Sequence, residues 1–121
     1  MANAGGEFAR ALELRPDLSD ARELLAGVAW TMATSPDASV RNGKLAVQWA
    51  EQLRQLTGAT EPAVLSALAA AYAEVGRYGD AVRTAEAALA SPAIVGKAEF
   101  AAALLGQLDL YRSQKPYRAP Q

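Results

Sequence analysis

The sequence holds no cysteine and no histidine. Without thiols there is no disulfide framework and no thiolate nucleophile. Without imidazole, nearly every zinc site and the usual general base near neutral pH are also excluded. Aromatic residues make up only 7% of the chain, and neither sign of charge predominates: 12 Lys and Arg stand against 13 Asp and Glu, a formal net charge of −1. DNA and RNA binding requires a clustered excess of cations, so nucleic acid is not an expected partner. Apolar runs such as 67–73 are far too short to span a bilayer. Residues 1–6 lack the basic and apolar parts of a signal peptide. The expectation is a soluble, cytoplasmic chain with no membrane span, no metal and no cofactor.

What the chain does have is alanine and leucine. Half of its 121 residues are hydrophobic (51%), enough for one domain with a real core. Alanine loses no side-chain entropy in a helix, and its small size lets helices approach closely. Punctuation then divides the chain into six helical stretches, and no strand pattern is found. The first, 4–14, is stopped at Arg15-Pro16, since the residue before proline is pushed out of the α region. Ser19 or Asp17 can cap a second that runs to about Thr34. Residues 35–43 form a turn-rich loop. The third stretch, 44–56, carries Ala46, Val47, Ala50 and Leu53 on one face. Thr60-Glu61-Pro62 opens the fourth, with threonine as cap and proline in the first turn. Gly76 is its left-handed stop. The fifth runs over 78–90 and the sixth over 95–112, before a basic tail at 113–121.

Internal periodicity gives this series of helices a pattern. Residues 62–93 read PAVLSALAAAYAEVGRYGDAVRTAEAALASPA. Leu65, Leu68-Ala69 and Tyr72 are followed by Gly76 and Tyr78, then by Ala81, Ala85 and Ala88-Leu89, with Pro92 closing. This register resembles the tetratricopeptide (TPR) repeat, a helix A and helix B joined by a tight turn. Ala4, Phe8, Ala11-Leu12 and Pro16 match helix B of an earlier unit whose helix A is missing. Leu25-Ala26 with Ala29, and Ala46 with Ala50, fit a more divergent middle unit. Ala4 and Ala46 lie 42 residues apart and Ala46 and Ala81 lie 35 apart, against a usual period of about 34. The surplus falls in the 35–43 loop. The resemblance implies an all-α solenoid, a right-handed superhelix of antiparallel helix pairs. Its parts are a half repeat at 4–16, a loop-expanded repeat at 19–57, a full repeat at 62–93 and a C-terminal capping helix at 95–112. The segments ATSPDASVRNG and LYRSQKPYR also resemble C-terminal stretches of long bacterial TPR proteins, implying the end of a longer array cut within a repeat.

The same resemblance implies where a partner would sit. Such arrays bind peptides along a concave face lined by helix A. Carried over position by position, that face comprises Asp20, Glu23, Gly27, Trp30 and Thr31 from the middle unit and Ala63, Ser66, Ala70, Ala73 and Glu74 from the last. It is shallow and weakly acidic. The carboxylate clamp that grips chaperone tails is absent, because Glu23 and Gly27 stand where lysine and asparagine are expected. Trp30 is an aromatic anchor if it points into the groove, and ordinary core if it packs under the 35–43 loop. Trp49 is read as core. In the loop, Asp37 and Arg41 are expected to pair locally while Asn42-Gly43 starts the next helix. Arg112, Lys115 and Arg118, with Tyr111 and Tyr117, could touch an acidic partner or anionic lipid, but are read as a solvated tail in which Tyr117 can fold back on the sixth helix.

No catalytic constellation can be built. Glu7 with Arg10 and Asp80 with Arg83 are surface pairs at i, i+3, Ser66 has no base to activate it, and no phosphate loop is present. The function expected is therefore a non-catalytic protein-protein interaction scaffold that binds a protein or peptide. Two alternatives remain. The half repeat exposes Ala4, Phe8, Ala11 and Leu12, a surface for self-association into a homodimer. Alternatively the chain is the non-catalytic tail of a larger enzyme such as a glycosyltransferase.

Overall fold

The computed structural model describes residues 19–57 and 61–119. They form an all-α arrangement: α1 (Ser19–Thr34), α2 (Gly43–Thr57), α3 (Pro62–Glu74), α4 (Tyr78–Ala90), a 3-10 turn at Pro92–Ile94, and α5 (Ala98–Arg112). No strand occurs among the described residues. The 4–16 segment, with Ala4, Phe8, Ala11 and Leu12, lies outside them.

α3 is the centre of the packing. A helix that is apolar on all sides must be surrounded, and residues 64–73 are all buried. α1, α2 and α4 pack against it, α2 packs on α1, and α5 packs on α4. Each neighbour turns an alanine-rich stripe inward: Ala29 and Ala33 from α1, Ala46 and Ala50 from α2, Ala81, Ala85 and Ala88 from α4. Larger side chains fill the spaces that remain, Leu65 and Leu68 from α3 and Leu104, Leu108 and Tyr111 from α5. The α5 set recurs at i, i+4, i+7, the spacing of one helix face.

The turns have local causes. Pro62 occupies the first position of α3, where its missing N–H is no loss. The cap residue there is Glu61, which makes no side-chain capping bond, in place of the expected threonine. At the other end Gly76 adopts φ +84°. The Gly76 N–H bonds the Ala73 carbonyl at 3.1 Å and the Arg77 N–H bonds the Tyr72 carbonyl at 2.8 Å, the paired bonds of a Schellman motif. Arg77 then lies over the Tyr72 ring, 4.3 Å from its centroid. α5 begins at Ala98 and not at 95, because the 3-10 turn and Gly96 at φ +82° hold the chain out of helix until then.

The 35–43 loop is tied down from within and from α3. Asp37 Oδ1 accepts from the Ser39 N–H at 2.9 Å and from its hydroxyl at 2.7 Å. These two bonds hold the Asp37 carboxyl below its ordinary range. Asn42 Oδ1 caps α2 by accepting from the Leu45 N–H at 3.2 Å. Asp37 and Arg41 pair through the backbone, the Arg41 N–H bonding the Asp37 carbonyl at 3.2 Å, while the Arg41 side chain reaches farther. Arg41 donates to the Ser35 carbonyl at 2.8 Å and stands 3.4 Å from Glu74 Oε2, at the end of α3. Gly43 permits this approach: a Cβ there would lie 2.8 Å from Glu74 Cγ and 2.9 Å from Val75 Cγ1.

Candidate functional site

The end of α5 sets up the site. Its last turn closes with a second Schellman motif: the Gln114 N–H bonds the Tyr111 carbonyl at 3.0 Å and the Lys115 N–H bonds the Leu110 carbonyl at 2.9 Å. Gln114 takes the left-handed position, φ 59°, that glycine usually fills. Pro116 follows and cannot resume a helix. The chain therefore reverses, and residues 115–119 run without regular structure back to α1.

Three contacts of different kinds seat this segment. Tyr117 lies against Trp30 of α1, ring centroids 5.5 Å apart. Arg118 donates to Glu74 Oε1 at 2.9 Å. The Ala119 N–H bonds the Thr34 carbonyl at 2.8 Å, one of the carbonyls left without a partner at the end of α1. Residues 116–119 are half-buried as a result. Glu74, with 15% of its side chain exposed, is held between Arg118 and Arg41. It joins the tail, the 35–43 loop and the end of α3.

Beside Tyr117 a pocket of about 420 Å³ remains open. Gly27 and Trp30 of α1, Ala63 and Ser66 of α3, and Phe100 and Gln107 of α5 line it. Its wall is mainly apolar. Gln107 is only 7% exposed, and its Oε1 has no hydrogen-bond partner. A buried carbonyl-type oxygen left unmet costs about 1–3 kcal/mol, and this one is shielded from solvent.

The expected face is thus brought together in part. Gly27, Trp30, Ala63 and Ser66 line one pocket. Trp30 is half-buried and faces Tyr117. Ala70 and Ala73 lie in the core, at 2% and 1% exposure. Glu74 points to its two arginines. Thr31 is exposed and donates its hydroxyl to the Gly27 carbonyl at 2.9 Å. Asp20 and Glu23 are on α1, but their side chains lie outside those described. Phe100, Gln107 and Arg118 were not among the expected site residues. Nor does Tyr117 fold on α5 alone or the tail stand free in solvent: its ring meets Trp30 across the face.

Behind the face α3 is fixed to α2. The Tyr72 hydroxyl donates to Glu51 Oε2 at 2.7 Å. Burial, and then this bond to a carboxylate, push the Tyr72 hydroxyl up to about 12. Burial likewise raises Tyr111, whose hydroxyl has no partner. Among the described residues no group of acidic side chains is placed to hold a metal ion, and no helix is long and apolar enough to cross a membrane.

Comparison of the chain with family models, with curated proteins and with solved structures gives no match.

Proposed function

We propose that the chain is a non-catalytic interaction scaffold of the TPR type, which binds an extended protein segment on the face formed by α1, α3 and α5. One observation carries the reading: the chain's own residues 116–119, without regular structure, lie half-buried on that face as a bound peptide would. They use a tilted aromatic contact, a charge-assisted hydrogen bond and a main-chain bond to the end of α1. An aromatic anchor beside an arginine is the composition that dominates protein interfaces. The packing order supports the repeat: α1 touches both its partner α2 and the next odd-numbered helix, α3.

The test is peptide display on the full chain, followed by titration against Trp30→Ala. Selected peptides bind the wild-type chain and lose about 1–3 kcal/mol in the variant if the face is their site. Selection that returns no binder, or binders indifferent to Trp30, removes this function.

A further inference from the structure

Resting on that reading, we infer that residues 115–119 are a built-in competitor for the partner. The partner segment is an extended peptide in which an aromatic residue is followed directly by arginine. The tail displays the chemistry the face accepts. Tyr117 supplies a ring to Trp30, and the next residue, Arg118, reaches Glu74. Glu74 is already oriented from the other side by Arg41, so the carboxylate is positioned before any ligand arrives.

The tail does not exhaust the face. Beyond Tyr117 the pocket between α1, α3 and α5 has room for a further apolar side chain. A segment longer than the tail fills that room with an apolar residue. It therefore out-competes an internal ligand that makes only the Trp30, Glu74 and Thr34 contacts.

Tethering sets the size of the competition. The segment leaves α5 through a two-residue turn at Ser113 and Gln114. Short tethers give effective concentrations of about 1 mM or more, so a tail with an intrinsic Kd of about 100 µM weakens any free peptide about tenfold.

The experiment uses the full chain and a fluorescent synthetic peptide with the sequence of residues 113–121. The double variant Tyr117→Ala/Arg118→Ala, whose helical content is checked by circular dichroism, binds this peptide about tenfold more tightly than wild type. The same peptide with both key residues replaced by alanine does not bind. Adding Glu74→Gln to the double variant weakens the peptide again. The single variant Arg118→Gln, which keeps the ring and the fold, gives an intermediate gain. Equal affinity for wild type and both variants, or no binding to any of them, overturns the inference. So does a wild-type dimer that these variants dissociate, because the tail is then exchanged between copies. Display-selected peptides that depend on Trp30 but lack the aromatic–arginine pair, or ignore the tail variants, sink this inference alone. The absence of Trp30-dependent binders sinks the peptide-binding reading itself.

Discussion

Trp30 and Tyr117 meet with ring centroids 5.5 Å apart and planes inclined by 37°, so the tail ends its course on the first described helix. Tilted pairs at this distance contribute about 0.5–1.5 kcal/mol beyond the area they bury. The contact is strong enough to seat the tail and weak enough to be opened. Tyr117→Ala should therefore lower the unfolding free energy by only about 1–2 kcal/mol, measured in urea, far less than a core leucine truncation. In a Trp49→Phe background, where Trp30 is the sole indole, the same substitution should shift emission to the red. An unshifted spectrum contradicts the contact.

Much of the helical punctuation could be read locally. Pro62 and Gly76 bound α3 because each acts on its own backbone, through a fixed φ and a permitted positive φ. That α3 is surrounded on all sides is not read from the run at 67–73, whose Ala70 and Ala73 are expected on an open face. Nor could the tail's course be read locally. Arg118 pairs with Glu74 and Tyr117 with Trp30 only after five helices have packed, and no sequence spacing encodes that. Gln114 gives no hint of its left-handed turn, since a residue with a Cβ is not the usual occupant. The groove expected to be lined by Ala70 and Ala73 is narrower because both are core.

Glu74→Gln keeps the shape of the side chain and removes its charge. Two guanidiniums, at 2.9 and 3.4 Å, lose their partner. All three side chains are partly screened, so the expected loss is about 1–2 kcal/mol, below that of a fully buried pair. The substitution should release both the tail and the loop. Amide exchange should speed up at Ala119 and near Arg41 together; release of only one disproves Glu74 as the shared anchor.

Gly43→Ala sets two effects against each other. Alanine in a helix is favoured over glycine by up to about 1 kcal/mol. The added Cβ, however, falls within 3 Å of Glu74 Cγ and Val75 Cγ1, and Glu74 is pinned by its arginines. Overpacking of this kind costs about 1–3 kcal/mol, so the net change should be destabilising. A neutral or higher melting temperature shows that the loop relaxes freely.

The two Schellman turns predict opposite signs for opposite substitutions. Gly76→Ala forces a Cβ into φ +84° and should cost about 1 kcal/mol. Gln114→Gly removes a Cβ from φ 59°. Relief of about 1–2 kcal/mol there is partly offset by the greater freedom of glycine in the unfolded chain. A gain of about 0.5–1 kcal/mol in urea unfolding should remain.

Alkaline pH should weaken the fold through Tyr72. Its hydroxyl is raised to about 12 in the folded chain, by burial first and by the bond to Glu51 second, whereas an unfolded tyrosine titrates near 10. Between these values the unfolded chain gives up the proton while the folded chain keeps it. Stability is therefore full below about pH 10 and falls as pH rises towards 12, by up to about 2–3 kcal/mol for this group. Buried Tyr111 shifts in the same direction and adds to the fall. Tyr72→Phe should cost about 1 kcal/mol at neutral pH through the lost hydrogen bond and should flatten the alkaline limb. Tyr111→Phe gives up a hydroxyl with no partner, so it should flatten the limb with no loss at neutral pH. Urea unfolding from pH 8 to 11.5 separates the two, and a wild-type limb no steeper than that of a Tyr72→Phe/Tyr111→Phe variant rules out both assignments.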